Sequence, residues 1–255
     1  MTSSVPPARR LGRVLLTNDD GINAPGLALL AELVAGVAEE VWVVAPEKDQ
    51  SGMSRAVTLT TPLRVEERGE RRYALTGTPS DCAIFGLRHL LKDNPPDIVL
   101  SGINRGANVG DEVPYSGTVA AALTARLLGV PAIAFSQSFA RGGQVRWDTA
   151  RAVFARSLDY ALDLRVAANA VLNVNFPDVD AADVGDVVLT RQSRGTLDRI
   201  DVEPRADMRG GTYYWMAFRR HMPILGPDTD AGALKHGLVS VTPLGFDMTA
   251  PEGIA

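Results

Sequence analysis

Cysteine and histidine are scarce in this chain, with one cysteine and three histidines in 255 residues. Cys82 alone can neither close an internal disulfide nor build a thiolate metal site, which fits a reducing, cytoplasmic setting. His89 falls inside a predicted helix, and His221 and His236 lie in the C-terminal part. No G-x-S-x-G elbow is present, so a serine nucleophile would lack both its usual turn and an evident base. Long apolar runs are missing too. The uncharged stretches Val113–Ala125 and Leu127–Ala140 are separated by Arg126 and interrupted by Pro114 and Pro131. Both fall short of the ~18 residues of a spanning helix, and no apolar signal-peptide core follows the start. Positive charge is not in excess, because 26 Lys and Arg stand against 30 Asp and Glu, for a net charge of −4. A binder of polymeric nucleic acid usually carries a basic field, so that class is excluded, as is a membrane partner. G-x-G-x-x-G and G-x-x-x-x-G-K-[ST] are both absent, which removes the dinucleotide fingerprint and the Walker phosphate loop.

What remains is an ordinary globular composition, 45% hydrophobic and 22% charged. Arg13–Thr17, Val41–Ala45, Asp97–Ser101, Val130–Phe135 and Ala170–Asn175 are short apolar runs that read as buried parallel strands. Between them, Leu27 to Val37, Ser80 to Leu91, Val119 to Leu128 and Trp147 to Leu164 read as helices, with Pro25 at a helix start and Ser80 as an N-cap. Val57–Thr60, Leu63–Glu66 and Arg72–Leu75 are β-prone and predict an inserted hairpin. After Pro177 the helical pattern fades. Asp186–Thr190, Thr212–Phe218 and Leu238–Thr242 read as strands and Asp230–Lys235 as a short helix. The expected fold class is α/β: a Rossmann-like, mostly parallel sheet flanked by helices, with an inserted β-hairpin and a β-rich C-terminal extension. The expected division is a disordered leader at 1–12, a catalytic core at 13–178 and an oligomerisation element at 179–255.

Ligands bind beyond the carboxyl ends of the strands in such a sheet. Three polar loops follow predicted strands: Asn18-Asp-Asp-Gly21, Glu47 to Gly52, and Gly102-Ile-Asn-Arg-Gly106. The adjacent carboxylates Asp19 and Asp20 repel each other unless a cation or a shared proton relieves them. With Ser51 and Asn104 they form an all-oxygen set suited to Mg²⁺, Mn²⁺ or Ca²⁺. An Asx turn capping the next helix is the alternative use of the same residues. Gly102, Gly106 and Gly110 predict a loop with positive φ and close backbone approach. Ser116-Gly117-Thr118 opens a helix, where free amides favour a phosphate, although simple N-capping accounts for the same residues.

Taken in order, these motifs resemble the SurE family of survival-protein nucleotidases over roughly Arg13 to Met248. They are Thr17-Asn-Asp-Asp-Gly21, Gln50-Ser-Gly52 with Ser54, Thr76-Gly-Thr-Pro-Ser-Asp-Cys82, Ser101-Gly-Ile-Asn-Arg-Gly106 with Asn108, Tyr115-Ser-Gly-Thr-Val119 and Val239-Ser-Val-Thr-Pro-Leu244. The resemblance implies a metal-dependent phosphomonoesterase acting on nucleoside 5′- and 3′-monophosphates, and on short polyphosphate. It implies one divalent ion, Mg²⁺ or Mn²⁺, held by Asp19, Asp20, Ser51 and Asn104, with Asp19 and Asp20 catalytic and Asn108, Ser116, Gly117 and Thr118 around the phosphate. It also implies a cytoplasmic homodimer or homotetramer joined through the C-terminal extension. The chain departs from the family pattern at Glu112, where Asp is usual, and at Thr124, where Glu is usual. A non-catalytic metal and nucleotide sensor on the same fold is the rival expectation, and a hydrolase using Ser51 covalently is a second.

Overall fold

A computed structural model describes residues 10–140, 142–221 and 223–249. Residues 1–9 of the expected leader lie outside the described residues. Leu11 and Gly12, expected in that leader, already belong to strand β1 (Leu11–Thr17), where Leu11 pairs with Ala38. Along β1, Val14 and Leu16 enter one apolar cluster and Leu15 the other, the alternation of a strand covered on both faces. Helix α1 (Pro25–Ala35) follows, with proline in its first turn. Only glycine fits at position 26, because a Cβ there would lie 1.9 Å from the carbonyl oxygen of Ile103. Strand β2 (Ala38–Pro46) runs parallel to β1.

The expected hairpin is formed by β3 (Val65–Gly69) and β4 (Arg72–Leu75). It widens the central sheet, since β4 pairs in parallel with β2. Val57–Thr60, expected as a strand, is a loop instead. The Thr58 N–H and hydroxyl go to the carboxylate of Asp81, at 2.9 and 2.6 Å, which takes them from any neighbouring strand. Helix α2 (Pro79–Phe85), continued by a π turn at Gly86–Leu90, is capped by Thr78 and not by Ser80. Thr78 accepts the N–H of Asp81 while Asp81 accepts the N–H of Thr78, a reciprocal box that Ser80 lacks.

Next come β5 (Ile98–Arg105), a 3₁₀ turn at Gly110–Tyr115, α3 (Gly117–Leu127), β6 (Ala132–Gln137), α4 (Trp147–Asp163) and β7 (Ala170–Phe176). Then β8 (Val187–Leu189), β9 (Leu197–Ala206), β10 (Thr212–Arg220), α5 (Asp230–Lys235) and β11 (Val239–Gly245) complete the described chain. The central sheet has the order β3-β4-β2-β1-β5-β6-β7-β11-β8. Its six middle strands from β4 to β7 are parallel, β3 is antiparallel to β4, and β11 is antiparallel to β7. Side chains of α1 and α4 fill one face, and those of α2 and α3 the other. Of the strands placed in the C-terminal extension, β8 and β11 join this sheet. Only β10 stands apart, paired with β9 in a two-stranded ribbon.

Candidate active site

The chain winds from β1 toward β2 and β4 on one side, then from β5 toward β6 and β7 on the other. The order therefore reverses between β1 and β5, the crevice position where open α/β sheets bind ligands. The loops carrying Asp19 and Ser51 leave this edge, whereas Asn104, expected in a loop, lies inside β5, which pairs again with β6 at Asn104 and Arg105 after a register shift. Asn18 makes the turn, with its side chain donating to Gly21 O at 2.9 Å and accepting the Gly21 N–H at 3.3 Å. The start of α1 has no side-chain cap, so the two aspartates are not used as helix caps. Backbone bonds draw the loops together. The Gln50 N–H donates to Asp19 O at 2.8 Å, and the Arg105 N–H donates to Asp20 Oδ2 at 3.0 Å.

Asp19 is 4% exposed and Asp20 is half-buried. Burial is the main cause raising the carboxyl of Asp19 above its ordinary value, opposed chiefly by the hydroxyl of Thr118 and aggravated by the charge of Asp49. Asp20 is pushed up to about 6, first by burial and then by Asp19 and Asp49, against the opposing Arg105 N–H and guanidinium. As anions, both carboxylates are therefore unfavourably placed. Asp49, one loop over, accepts the N–H and hydroxyl of Ser51 at 2.8 and 2.6 Å, which orients this exposed side chain. The amide nitrogen of Asn104 donates to Gly106 O at 2.9 Å, so its oxygen is the atom that could serve a metal. Among the described residues no three His, Cys, Asp or Glu side chains form a metal-holding group. Asp19 and Asp20 with the hydroxyl of Ser51 and the amide oxygen of Asn104 could offer the donor chemistry of a hard divalent ion.

Gly102, with φ of +138°, sits at the register shift within β5, and Gly106 and Gly110, at +126° and +58°, lie beyond its end. Asn108 is held from four directions. Its N–H donates to Asn175 Oδ1 at 2.8 Å, its amide donates to Ser136 Oγ at 2.8 Å, and its carbonyl accepts from Asn173 and Asn175. It thus anchors the loop. Ser116 caps α3, its hydroxyl oxygen accepting the Val119 N–H at 3.1 Å. Gly117 and Thr118 form the first turn of that helix, where backbone N–H groups have no helical partner. Of the two departures, Glu112 pairs with Arg220 of β10, and Thr124 bridges α3 to α2, its hydroxyl oxygen 3.2 Å from Ser80 Oγ. Sequence reasoning missed Asp49, Asn173 and Asn175. The signal for the last two was visible as asparagines alternating inside an otherwise apolar strand. A cleft of about 510 Å³ opens between Asp20, Asp49, Arg105 and Trp147, and a second of about 390 Å³ lies beside Gln50, Met53 and Thr78.

A family model described as "Survival protein SurE" matches residues 14–199. The chain belongs to the SurE family. A SurE relative from Methylocella silvestris, named 5′-nucleotidase SurE, is 48% identical over 240 residues, covering 93% of this chain and 94% of that protein. One from Burkholderia lata, named 5′-nucleotidase SurE 1, is 46% identical over 243 residues, covering 95% and 94%. The crystal structure of the SurE protein from Aquifex aeolicus superposes with a TM-score of 0.79 at 35% identity, covering 93% of this chain and 94% of that one. The SurE fold thus accounts for the central sheet and the flanking helices.

Proposed function

We propose that this chain is a metal-dependent 5′-nucleotidase that hydrolyses nucleoside monophosphates to nucleoside and phosphate. Activity on 3′-monophosphates and short polyphosphate belongs to the same reading. The observation that carries it is the buried, mutually repelling pair Asp19 and Asp20 at the strand-order reversal of a SurE chain. The relatives named as 5′-nucleotidases support the substrate class.

Asp19, Asp20, Ser51 and Asn104 would hold one Mg²⁺ or Mn²⁺. That ion supplies Lewis-acid polarisation of the phosphoryl group and a lowered pKa for bound water. The chain's own residues do the rest. Arg105 and Gln50 fix the two acidic residues through backbone bonds. Asp20, the more exposed of the pair, would take a proton from the attacking water. The Ser116 hydroxyl proton and the backbone N–H groups of Gly117 and Thr118 would serve the phosphate oxygens, where a helix start favours negative charge. Asn108 serves this region by holding the loop. The protein would work in the cytoplasm as a homodimer or homotetramer.

Phosphate release from a panel of nucleotides, with and without EDTA, tests the reading. Release from AMP is expected with Mg²⁺ or Mn²⁺, stopping on chelation. Asp19→Asn is expected to lower turnover by orders of magnitude without unfolding the chain. Nucleotide binding without release would indicate the sensor. Release that survives the chelator would point to the Ser51 hydroxyl, whose bond to Asp49 gives that second reading its one support.

A further inference from the structure

We infer that Thr118 is a positioning residue: its hydroxyl orients the metal-holding carboxylate of Asp19 and is not itself a phosphate ligand. The inference rests on the metal-dependent reading above and deepens it.

Thr118 and Asp19 stand 99 positions apart in sequence, yet both are buried, at 0% and 4% exposure. Thr118 Oγ1 donates to Asp19 Oδ1. A hydroxyl has one proton, and this one is committed to the carboxylate. Toward a phosphate oxygen the side chain then presents only lone pairs, which an anion does not accept. The contrast with Thr124 on the same helix is informative. Thr124 donates to the carbonyl of Ala120 one turn back, at 2.8 Å, the local bond that helical threonines make. Thr118 sits in the first turn of α3, so no carbonyl of that helix lies one turn behind it. Its proton goes across the fold.

Gly117 supplies the complementary restraint. A Cβ there would lie 2.8 Å from Asp19 Cβ and 2.9 Å from Asp19 Oδ2, so the helix start rests directly against the carboxylate. One oxygen of Asp19 is thus bonded by Thr118 and the other lies against Gly117, while its carbonyl is held by Gln50. The plane of the carboxylate is fixed before any ion arrives. A partner that orients a metal ligand in this way typically contributes about 10–100-fold to metal affinity.

The test is Mn²⁺ titration of the full chain by EPR or calorimetry, without substrate, on wild type, Thr118→Val and Thr118→Ser. Valine keeps the shape and removes the hydroxyl, whereas serine keeps the hydroxyl. Thr118→Val is expected to weaken Mn²⁺ binding by about 10–100-fold. Thr118→Ser should restore it, and inhibition by inorganic phosphate at saturating Mn²⁺ should stay near wild type in both. Thr118→Ala serves the same comparison if valine does not fold. Wild-type Mn²⁺ affinity in Thr118→Val overturns the inference, as does loss of phosphate inhibition with metal binding intact. Failure of the wild type itself to bind Mn²⁺ overturns the metal reading, a separate outcome.

Discussion

At residue 117 two effects compete, and their sizes decide the outcome. Alanine is a better helix former than glycine by about 1 kcal/mol in a helix interior. Yet an added methyl would meet Asp19 at 2.8 Å and Pro79 at 3.0 Å, and overpacking a buried site costs about 1–3 kcal/mol. Asp19 has no room to retreat, because Thr118 and Gln50 hold it. Gly117→Ala is therefore expected to lower the melting temperature slightly and activity severely. Thermal unfolding alongside AMP hydrolysis checks this; a stabilised, fully active variant would refute the packing argument. The acidic pair, Ser51 and Asn104 could be singled out from sequence because each sits just past an apolar run. Asp49 sits there too, but nothing in sequence shows that it grips Ser51, since that contact depends on the loop's path.

Among elements, the 3₁₀ turn at Gly110–Tyr115 joins the site to the β9–β10 ribbon. Asp111 accepts the N–H groups of Thr196 and Leu197 at 2.8 and 3.2 Å, and these bonds, the Leu197 one foremost, hold its carboxyl below the ordinary value of 3.8. A folded pKa below the unfolded one gives stability that is fully present above the unfolded value and lost as pH falls through the folded one. Asp111→Asn should thus lower the melting temperature at neutral pH. The gap to wild type should close as pH drops below about 4; a gap independent of pH would count against the charge. Strand β9 itself was not legible. Asp198, Arg199, Asp201, Glu203 and Arg205 with Pro204 leave no apolar run to mark a strand, but in the ribbon the charges pair, Arg219 with Asp201 at 2.6 Å and Arg205 with Glu203 at 3.0 Å. Tertiary pairing decided elsewhere too. Val57–Thr60 is β-prone but is bound by Asp81. At α2, by contrast, Asp81 three places after Thr78 was a readable sign that Thr78 is the cap.

For the molecule as a whole, that ribbon is the feature left unexplained by a single chain. Cross-strand partners Phe218 with Ile200 and Met216 with Val202 put apolar side chains on one face, next to Tyr214. Phe218 packs on Tyr115 with ring centres 5.3 Å apart, which covers the base of that face. Farther out, Val202, Tyr214 and Met216 are 61%, 64% and 78% exposed. A two-stranded ribbon is marginal alone, and clustered exposed apolar groups mark an interaction surface. A second copy is the occupant we propose, since a two-fold contact lets one apolar face bury its own equivalent. Light scattering after size exclusion should then give a multiple of the 27.2 kDa chain mass, falling to one chain in Met216→Asp. The ribbon grips the segment before Ser116 through Asp111 and Glu112, so activity should fall along with assembly. A monomeric wild type at micromolar concentration, or an assembly that survives Met216→Asp, would show that this face has another purpose.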